Sequence, residues 1–317
     1  MIVFQRIKSG MELIKESIRV FNHYPLLIVP LLITWLIIAP LILLLEYNID
    51  WSIYTTAESL LIVFLVISAF TFLLTFSCSM LLELIQQLET GRRLSLSDAL
   101  ISTLGYNLAT AFPLIIVWTI IWFLLTVIQS SIPRKTRGGD NENESFSAES
   151  AARTLAGYQG YSVSRGYIES LKKGVRMVVF LILPGIAWEN MGSSDATKRG
   201  FAILKTHLVE FTTGFVLAEV ISITVFLPVL LLFGISDGAK LVLPGYVWIV
   251  AQLYIAFAWS YSIYIEQMFA AQLYLWNMRW EREVAKAKVE GRPLPLLEDI
   301  AKPTVLDEVL ELTARPI

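Results

Sequence analysis

The sequence predicts an all-α integral membrane protein, and three observations carry this prediction. Its 317 residues are 56% apolar and only 16% charged, against about 45–50% and ~25% in soluble domains. Six apolar stretches are long enough to cross a bilayer, and amphipathic segments precede three of them. The chain also has no basic excess, with 25 Lys and Arg against 27 Asp and Glu. We therefore exclude a soluble enzyme, a nucleic-acid-binding protein and a disordered scaffold.

Each predicted span contains about 20 mostly apolar residues, the number that an α-helix needs to cross a hydrocarbon core of ~30 Å. The fourth span is the weakest, because Lys172, Lys173 and Arg176 interrupt it and must extend toward a headgroup region. The six predicted spans are residues 25–45, 60–82, 108–128, 171–191, 209–233 and 246–274.

Basic residues concentrate in alternate connecting segments, and this bias predicts the orientation of the chain. The N-terminal segment, the second and fourth connections and the C-terminal tail are basic, whereas residues 46–58 contain no Lys or Arg. We therefore expect a multi-pass protein of the plasma membrane with both termini in the cytoplasm. Residues 129–170 fit less well, because Arg134, Lys135 and Arg137 lie on the outer side.

Three regions follow from this topology. Residues 1–24 form an amphipathic helix, residues 25–278 the six-span domain and residues 279–317 a cytoplasmic tail. A polar, Gly-containing stretch predicts a mobile outer loop at about 130–170. Val305, Leu306 and Val309 give an apolar side to a short predicted helix at 304–313. This tail could dock on the bundle or bind another membrane or cytoplasmic protein.

The N-terminal segment has the periodicity of a helix that lies in the membrane interface. Its apolar residues recur every three or four positions, which places them on one face. Lys8, Lys15 and Arg19 fall between them and could contact anionic lipid headgroups. Alternatively, the helix packs on the cytoplasmic face of the protein itself. The apolar residues are Phe4, Ile7, Met11, Ile14, Ile18 and Phe21.

The predicted arrangement repeats a surface helix followed by a transmembrane hairpin three times. Ser95 and Asp98 begin a second amphipathic segment before the third span, and Ser194 and Asp195 begin another before the fifth. Both segments contain Ser-Asp-Ala, at 97–99 and 194–196, so we infer triplication of one unit. The two segments add four basic residues to the predicted headgroup contacts, namely Arg92, Arg93, Lys198 and Arg199.

Two stretches carry a resemblance to known families. Pro184-Gly-Ile-Ala-Trp-Glu189 followed by Ser194-Asp-Ala-Thr-Lys-Arg-Gly-Phe201 resembles a Pro-containing span that ends in Glu and precedes a surface helix. That pattern is similar to sequences of an uncharacterised family of prokaryotic six-span membrane proteins. The opening of the same family resembles Ser17-Ile-Arg-Val-Phe-Asn-His-Tyr-Pro25. The first pattern also resembles the membrane domain of glycerophosphoryl diester phosphodiesterase-like proteins. The resemblance implies a six-span fold and no known activity.

Glu219 stands near the middle of the fifth predicted span, where an unpaired carboxylate is energetically costly. Thr212, Phe215 and Ser222 share its helical face, so we expect this face to point into the bundle. One hypothesis is a proton- or cation-binding site in a transport path. The other is a protonated or hydrogen-bonded glutamic acid that fixes helix packing.

Three other glutamates, Glu83, Glu189 and Glu266, fall near the cytoplasmic ends of the second, fourth and sixth predicted spans. They could pair with basic residues of the neighbouring surface helices. Alternatively, they form an acidic ring around a cytoplasmic vestibule.

Cysteine and histidine give little support to metal or redox chemistry. Cys78 is alone in an apolar run, and His23 and His207 lie at predicted helix junctions, where we expect interfacial polar residues. The sequence also contains no motif of a known catalytic site. We therefore expect no cofactor, no metal and no enzymatic activity. The first hypothesis is a membrane organising, assembly or scaffold factor, and the alternative is a small-solute or ion transporter with Glu219 in its path.

Overall fold

All regular secondary structure in the described part of the chain is helical. The computed structural model describes residues 2–47, 50–130, 163–238, 244–296 and 300–303. Short 3₁₀ turns at Pro25–Ile28 and Trp51–Ile53 precede the second and third helices, and a π-helical turn at Thr103–Asn107 precedes the fifth. The α-helices are α1 (Ile2–His23), α2 (Val29–Tyr47), α3 (Thr56–Glu89), α4 (Leu96–Ser102), α5 (Leu108–Ser130), α6 (Val163–Ala187), α7 (Ser193–Thr206), α8 (Leu208–Gly238) and α9 (Gly245–Glu290).

Five stretches of helix are long and apolar enough to cross a membrane. They correspond to five of the six predicted spans, and the fourth predicted span is not among them. That span lies in α6, which has 25 residues but carries five charged side chains within its first 14. The five stretches are Pro25–Ile42, Thr56–Glu89, Leu96–Ser130, Leu208–Ser236 and Gly245–Glu290.

Helices α1, α4 and α7 lie at one end of the bundle, which we call the surface-helix side. The Arg6 guanidinium on α1 donates to the Thr206 carbonyl at the end of α7, at 2.6 Å. The Tyr106 hydroxyl, in the turn after α4, donates to the Asn190 carbonyl before α7, at 3.0 Å. Each of these three helices precedes two other helices of the bundle, but their lengths differ, with 22 residues in α1, seven in α4 and 14 in α7.

The amphipathic helix α1 packs on the protein and also presents an apolar stripe outward. It contacts α8 and α9, and Gly10 permits close approach, because a Cβ there would lie 3.0 Å from the Glu210 carbonyl oxygen. Leu13 and Val20 are buried on the same side. Three residues of the predicted apolar stripe, Phe4, Ile7 and Met11, remain exposed beside the exposed Lys8, Lys15 and Arg19.

The densest packing lies toward the surface-helix side. The second half of α3, the second half of α6 and the middle of α9 meet there, and the Trp188 indole nitrogen donates to the Leu82 carbonyl at 3.0 Å. By contrast, α8 exposes most of its apolar residues beyond Phe215. Lipid is as apolar as these side chains, so helix association within a bilayer depends on shape complementarity and interhelical hydrogen bonds. The largest fully buried side chains include Trp118, Trp276, Tyr264, Tyr274, Phe180 and Phe269.

Two predicted boundaries differ from the observed ones. α6 begins at Val163, so residues 163–170 of the predicted outer loop are helical. α9 continues to Glu290, twelve residues beyond the predicted end of the membrane domain, and ends at Gly291, whose φ of 65° is the left-handed conformation that glycine adopts readily. The rest of the predicted loop, residues 131–162, and the predicted tail helix at 304–313 lie outside the described residues.

Candidate functional site

Four charged side chains from three helices form a network inside the bundle, which we call the interhelical charge network. It consists of Lys173 and Arg176 on α6, Glu219 on α8 and Glu266 on α9. The Arg176 guanidinium donates to both carboxylate oxygens of Glu266, each at 2.8 Å. The Lys173 ammonium lies 3.2 Å from Glu266 Oε1 and also donates to Glu219. The four formal charges sum to zero.

The network runs from the surface of the bundle to its interior. The exposed fraction of the side chain falls from 49% at Glu219 to 11% at Lys173 and 1% at Glu266. The Lys173 ammonium also lies 5.5 Å from the centre of the Phe215 ring, an attractive cation–π geometry. Removing one partner of such a buried ion pair leaves an uncompensated charge, which is strongly destabilising. The arrangement can therefore hold α6, α8 and α9 together, and it provides a chain of contacts along which a proton could move.

In the first half of α6 the basic side chains point into the bundle, and the apolar residues of its second half are mostly buried in the core. Lys172 and Lys173 are 5% and 9% exposed, respectively, whereas Leu171 is 40% exposed. Lys172 donates to the Gln129 amide oxygen of α5 and lies 3.3 Å from Glu169. These lysines were expected to extend to a headgroup region, and the structure shows that their charges are compensated by partners within the protein.

The polar face predicted around Glu219 does not point into the bundle. The Thr212 side chain is exposed and donates to the Leu208 carbonyl of its own helix at 2.8 Å, and Ser222 is half-buried. Residues Gly214 and Ala218 form the buried side of α8. Glu219 also lies about 28 Å of helix rise from the end of α8 at Gly238. From the start of α8 at Leu208 it lies about 16 Å of helix rise, close to the distance that the predicted span gave.

The three glutamates of the predicted acidic ring engage different residues at different depths. Glu83 is buried and accepts a hydrogen bond from the Asn107 amide at 2.7 Å. Glu189 accepts one from the Tyr274 hydroxyl, whereas Glu266 binds Arg176. Tyr274 and Glu266 are separated by about 12 Å of rise along α9. The predicted pairing with a basic residue of a surface helix is found for Glu189, which lies 3.6 Å from Arg199, whereas Glu83 and Glu266 bind residues elsewhere.

A second polar cluster on the surface-helix side joins α7 to α9. The Arg199 guanidinium donates to both carboxylate oxygens of Glu281, each at 2.6 Å, and its Nε lies 3.6 Å from Glu189. Glu281 also accepts a hydrogen bond from the Asn277 amide at 2.9 Å. The sequence prediction assigned Arg199 to lipid headgroups, but these contacts direct it to the protein. The sequence prediction missed Asn277 and Glu281, which are four positions apart and therefore lie on the same side of α9.

His207 is fully buried at the junction of α7 and α8, contrary to the expectation of an interfacial residue. Asn277 Oδ1 is 3.1 Å from Nε2, so Nε2 carries the proton and donates it. Burial lowers the pKa of His207, and the carboxylate of Glu210 offsets part of this effect. Glu210 itself is held by the Arg6 guanidinium, with Nε to Oε1 at 2.7 Å.

The other basic residues predicted to contact headgroups are exposed. Several of them lie near acidic residues of the same helix, as Lys8 does to Glu12 at 3.9 Å and Lys198 to Asp195 at 3.0 Å. Such exposed pairs contribute little to stability and exchange readily with other charges. The exposed basic residues of this set are Lys8, Lys15, Arg19, Arg92, Arg93 and Lys198.

Within the described ranges, no cluster of three or more His, Cys, Asp or Glu side chains could hold a metal ion. Cys78, the single cysteine, is buried and carries a free thiol. We therefore take the interhelical charge network as the candidate functional site. No protein-family model matches this chain, and no curated protein or solved structure matches it.

Proposed function

We propose that this chain is a non-enzymatic membrane protein that organises lipids or a partner protein through its surface-helix side. One observation carries the proposal: α1, α4 and α7 lie at the same end of the bundle and expose apolar residues, which stand beside exposed basic residues on α1 and α7 and follow the exposed Arg92 and Arg93 at α4. Examples are Met11 next to Lys15 on α1 and Phe201 next to Lys198 on α7. This combination is what binds a helix to an anionic membrane surface.

The proposal includes six spans rather than five. α6 carries too many charged residues to be recognised as a span from composition alone. However, Lys172 and Lys173 are buried and Leu171 is exposed. A helix with its charges inside and its apolar side outside is suited to a lipid environment. Antiparallel packing of α6 on α5 agrees with this, since Lys172 meets Gln129 near the end of α5, whereas Phe180 meets Trp118 nearer its start.

With six spans, both termini lie on the surface-helix side. The excess of basic residues there supports a cytoplasmic location and insertion in the plasma membrane. The order of a helix on the surface-helix side followed by two other helices of the bundle, found three times, supports triplication of an ancestral unit. A C-terminal tail on the cytoplasmic side could bind a partner protein.

Transport of a small solute or ion is the second candidate function. One feature favours it, because Glu219 at the surface is connected through Lys173 to the buried Glu266. The charge balance of the network favours a structural role, since each carboxylate already has a cation beside it. A transport site that binds a cation would need a carboxylate that is free to receive it.

The organising function can be tested by the lipid preference of the purified protein. We would reconstitute it in phosphatidylcholine nanodiscs and measure, by electron paramagnetic resonance, how much spin-labelled phosphatidylglycerol or phosphatidylcholine it immobilises. We expect a preference for phosphatidylglycerol that falls with added salt. Because each Lys near the surface contributes about 1 kcal/mol, Lys8→Gln with Lys15→Gln should reduce this preference severalfold.

The matched control removes two lysines far from the membrane. Lys286 and Lys288 lie on the extension of α9, about 18–21 Å of helix rise beyond Tyr274, where the predicted sixth span ends. This is about two Debye lengths, since that length is about 8 Å at physiological salt. Lys286→Gln with Lys288→Gln should leave the preference unchanged. A wild-type protein that immobilises both lipids equally would refute the headgroup-binding part of the proposal.

A further inference from the structure

An apolar groove of about 760 Å³ follows the outer side of α6, between α5 and α7. Leu171, Val175 and Val178 line it from α6, and Val117 and Ile121 line it from α5. These are the outward, apolar residues of α6, opposite the basic residues that enter the interhelical charge network. The volume is within the range of about 300–1,000 Å³ typical of ligand sites.

The dimensions and surroundings of the groove fit a lipid chain. Its lining on α6 extends from Ser170 to Ile182, about 18 Å of helix rise. Half of a ~30 Å hydrocarbon core is about 15 Å, so the groove is about as long as one leaflet is thick. α5 belongs to a stretch long and apolar enough to span the bilayer, and its neighbouring residues Ile116 and Ile120 are exposed. Hydrocarbon is therefore the medium that fills this groove.

One end of the groove is polar, and its charge is complementary to a phosphate. Ser194, Thr197 and Lys198 of α7 line that end, on the surface-helix side. The Lys198 side chain is 75% exposed, and its partner Asp195 is 72% exposed, so a phosphate could replace this weak pair. The N-cap Gly192 supplies no side-chain hydrogen bond, which leaves first-turn N–H groups of α7 available to an anion.

We propose that this groove binds one phospholipid molecule, with an acyl chain along α6 and the phosphodiester at Lys198. The inference rests on the membrane placement proposed above and deepens that function, because it names a lipid as the ligand of α6 and α7. The leaflet concerned is the one on the surface-helix side. Lipid bound there would contact two helices. One is α6, which carries the basic residues of the interhelical charge network, and the other is the surface helix α7.

Two glycines of α6 provide a matched pair of variants. Gly174 lines the groove, and a Cβ added there would meet no atom within 4 Å, so a larger side chain would enter the groove. Gly166 is also helical and equally open, but it is absent from the groove lining. Gly174→Phe should therefore occupy the groove, whereas Gly166→Phe makes the same chemical change on the same helix elsewhere.

The experiment is a lipid titration of the delipidated, detergent-purified full chain followed by native mass spectrometry. The probes are dipalmitoyl phosphatidylglycerol, dipalmitoylglycerol and glycerol phosphate. We expect the wild type and Gly166→Phe to bind one phospholipid more tightly than any others, and Gly174→Phe to weaken that binding by about tenfold or more. Lys198→Ala, which leaves the apolar lining intact, should weaken it by about fivefold, whereas Lys205→Ala, elsewhere on α7, should not.

Two results would overturn the inference. Equal phospholipid affinity of Gly174→Phe and Gly166→Phe would exclude the groove as the binding site. Equal affinity of the wild type for dipalmitoylglycerol and the phospholipid would exclude phosphate recognition at Lys198. Glycerol phosphate should bind far more weakly than either, since it has no chain. Neither result depends on Lys8 or Lys15, so this inference and the proposed headgroup preference of α1 can fail separately.

Discussion

Glu266 of α9 and Arg176 of α6 form an ion pair in which both carboxylate oxygens accept a hydrogen bond from the guanidinium, at 2.8 Å each. The Glu266 side chain is 1% exposed, and the pair joins residues 90 positions apart in the sequence. Charge-assisted, two-point pairs of this kind fix relative position as well as charge. Together with Lys173, the pair explains how a helix with five charges in its first 14 residues can pack inside an apolar bundle.

Replacing Glu266 by glutamine should be severely destabilising. The substitution keeps the shape of the side chain but leaves Arg176 and Lys173 without their shared buried carboxylate. We expect a loss of about 3–5 kcal/mol in the free energy of unfolding, measured by SDS titration of the protein in detergent micelles. The double variant Glu266→Gln with Arg176→Gln should lose less than the sum of the single variants, because the two groups interact directly.

Glu219→Gln is the control for this prediction. The Glu219 side chain is 49% exposed and Lys173 retains Glu266, so we expect a loss of about 0–1 kcal/mol. A loss as large as that of Glu266→Gln would contradict the gradient of burial along the network. If the variant folds normally and a flux carried by the wild type disappears, the transport function would replace the organising one.

Hydropathy located five of the long helices because their lipid-facing residues must be apolar. Its signal was weakest for the fourth span, in α6, because Lys172, Lys173 and Arg176 interrupt the apolar stretch and an average along the sequence cannot tell whether a charge faces lipid or protein. Lys173 and Arg176 are three positions apart, so they share a face, and Leu171 and Val175 occupy another. Charged and apolar residues on different faces of one helix could have indicated that the charges point into the protein. The prediction instead placed the lysines in a headgroup region.

The members of the charge network could be identified from the sequence, but their pairing could not. Glu219 and Glu266 were singled out as carboxylates in or near apolar spans, and α6 was known to carry cations. Their contacts depend on which helices are neighbours, and no local pattern encodes that. His207 illustrates the same limit, since its position at a helix junction predicted an interfacial polar residue, whereas packing of α7 against α9 buries it.

Gly214→Ala should weaken the packing of α8 on α9. A Cβ at this position would overlap the ring of Phe269, which is fully buried and cannot move freely. Overpacking of this kind costs about 1–3 kcal/mol. Gly234→Ala is the matched control on α8, because no atom lies within 4 Å of its added Cβ, and it should stabilise by up to about 1 kcal/mol. Equal effects in an SDS titration would argue against close α8–α9 contact.

The number of spans can be decided by cysteine labelling in intact cells. Cys78→Ser removes the single, buried cysteine, and one cysteine is then introduced at Thr56, Ser97 or Gly166. If α6 crosses the membrane, Gly166→Cys should react with an impermeant maleimide from the same side as Thr56→Cys and from the side opposite Ser97→Cys. Labelling of Gly166→Cys together with Ser97→Cys would mean that α6 does not span.

His207 should make stability depend on pH. Burial lowers its pKa from about 6.5, so below that value the unfolded chain binds a proton that the folded chain does not. The free energy of unfolding should therefore rise with pH between about pH 5 and pH 7, with a slope of up to about 1.4 kcal/mol per pH unit for one proton. His207→Gln should flatten this part of the profile, and His23→Gln, at an exposed position, should not.

The hydrogen bonds of His207 agree with a neutral ring. Its Nε2 donates to Asn277, so a second proton would create a buried donor at Nδ1, which has no partner among the described residues. A wild-type profile that is flat, or that falls with rising pH, would contradict this account of the α7–α8 junction.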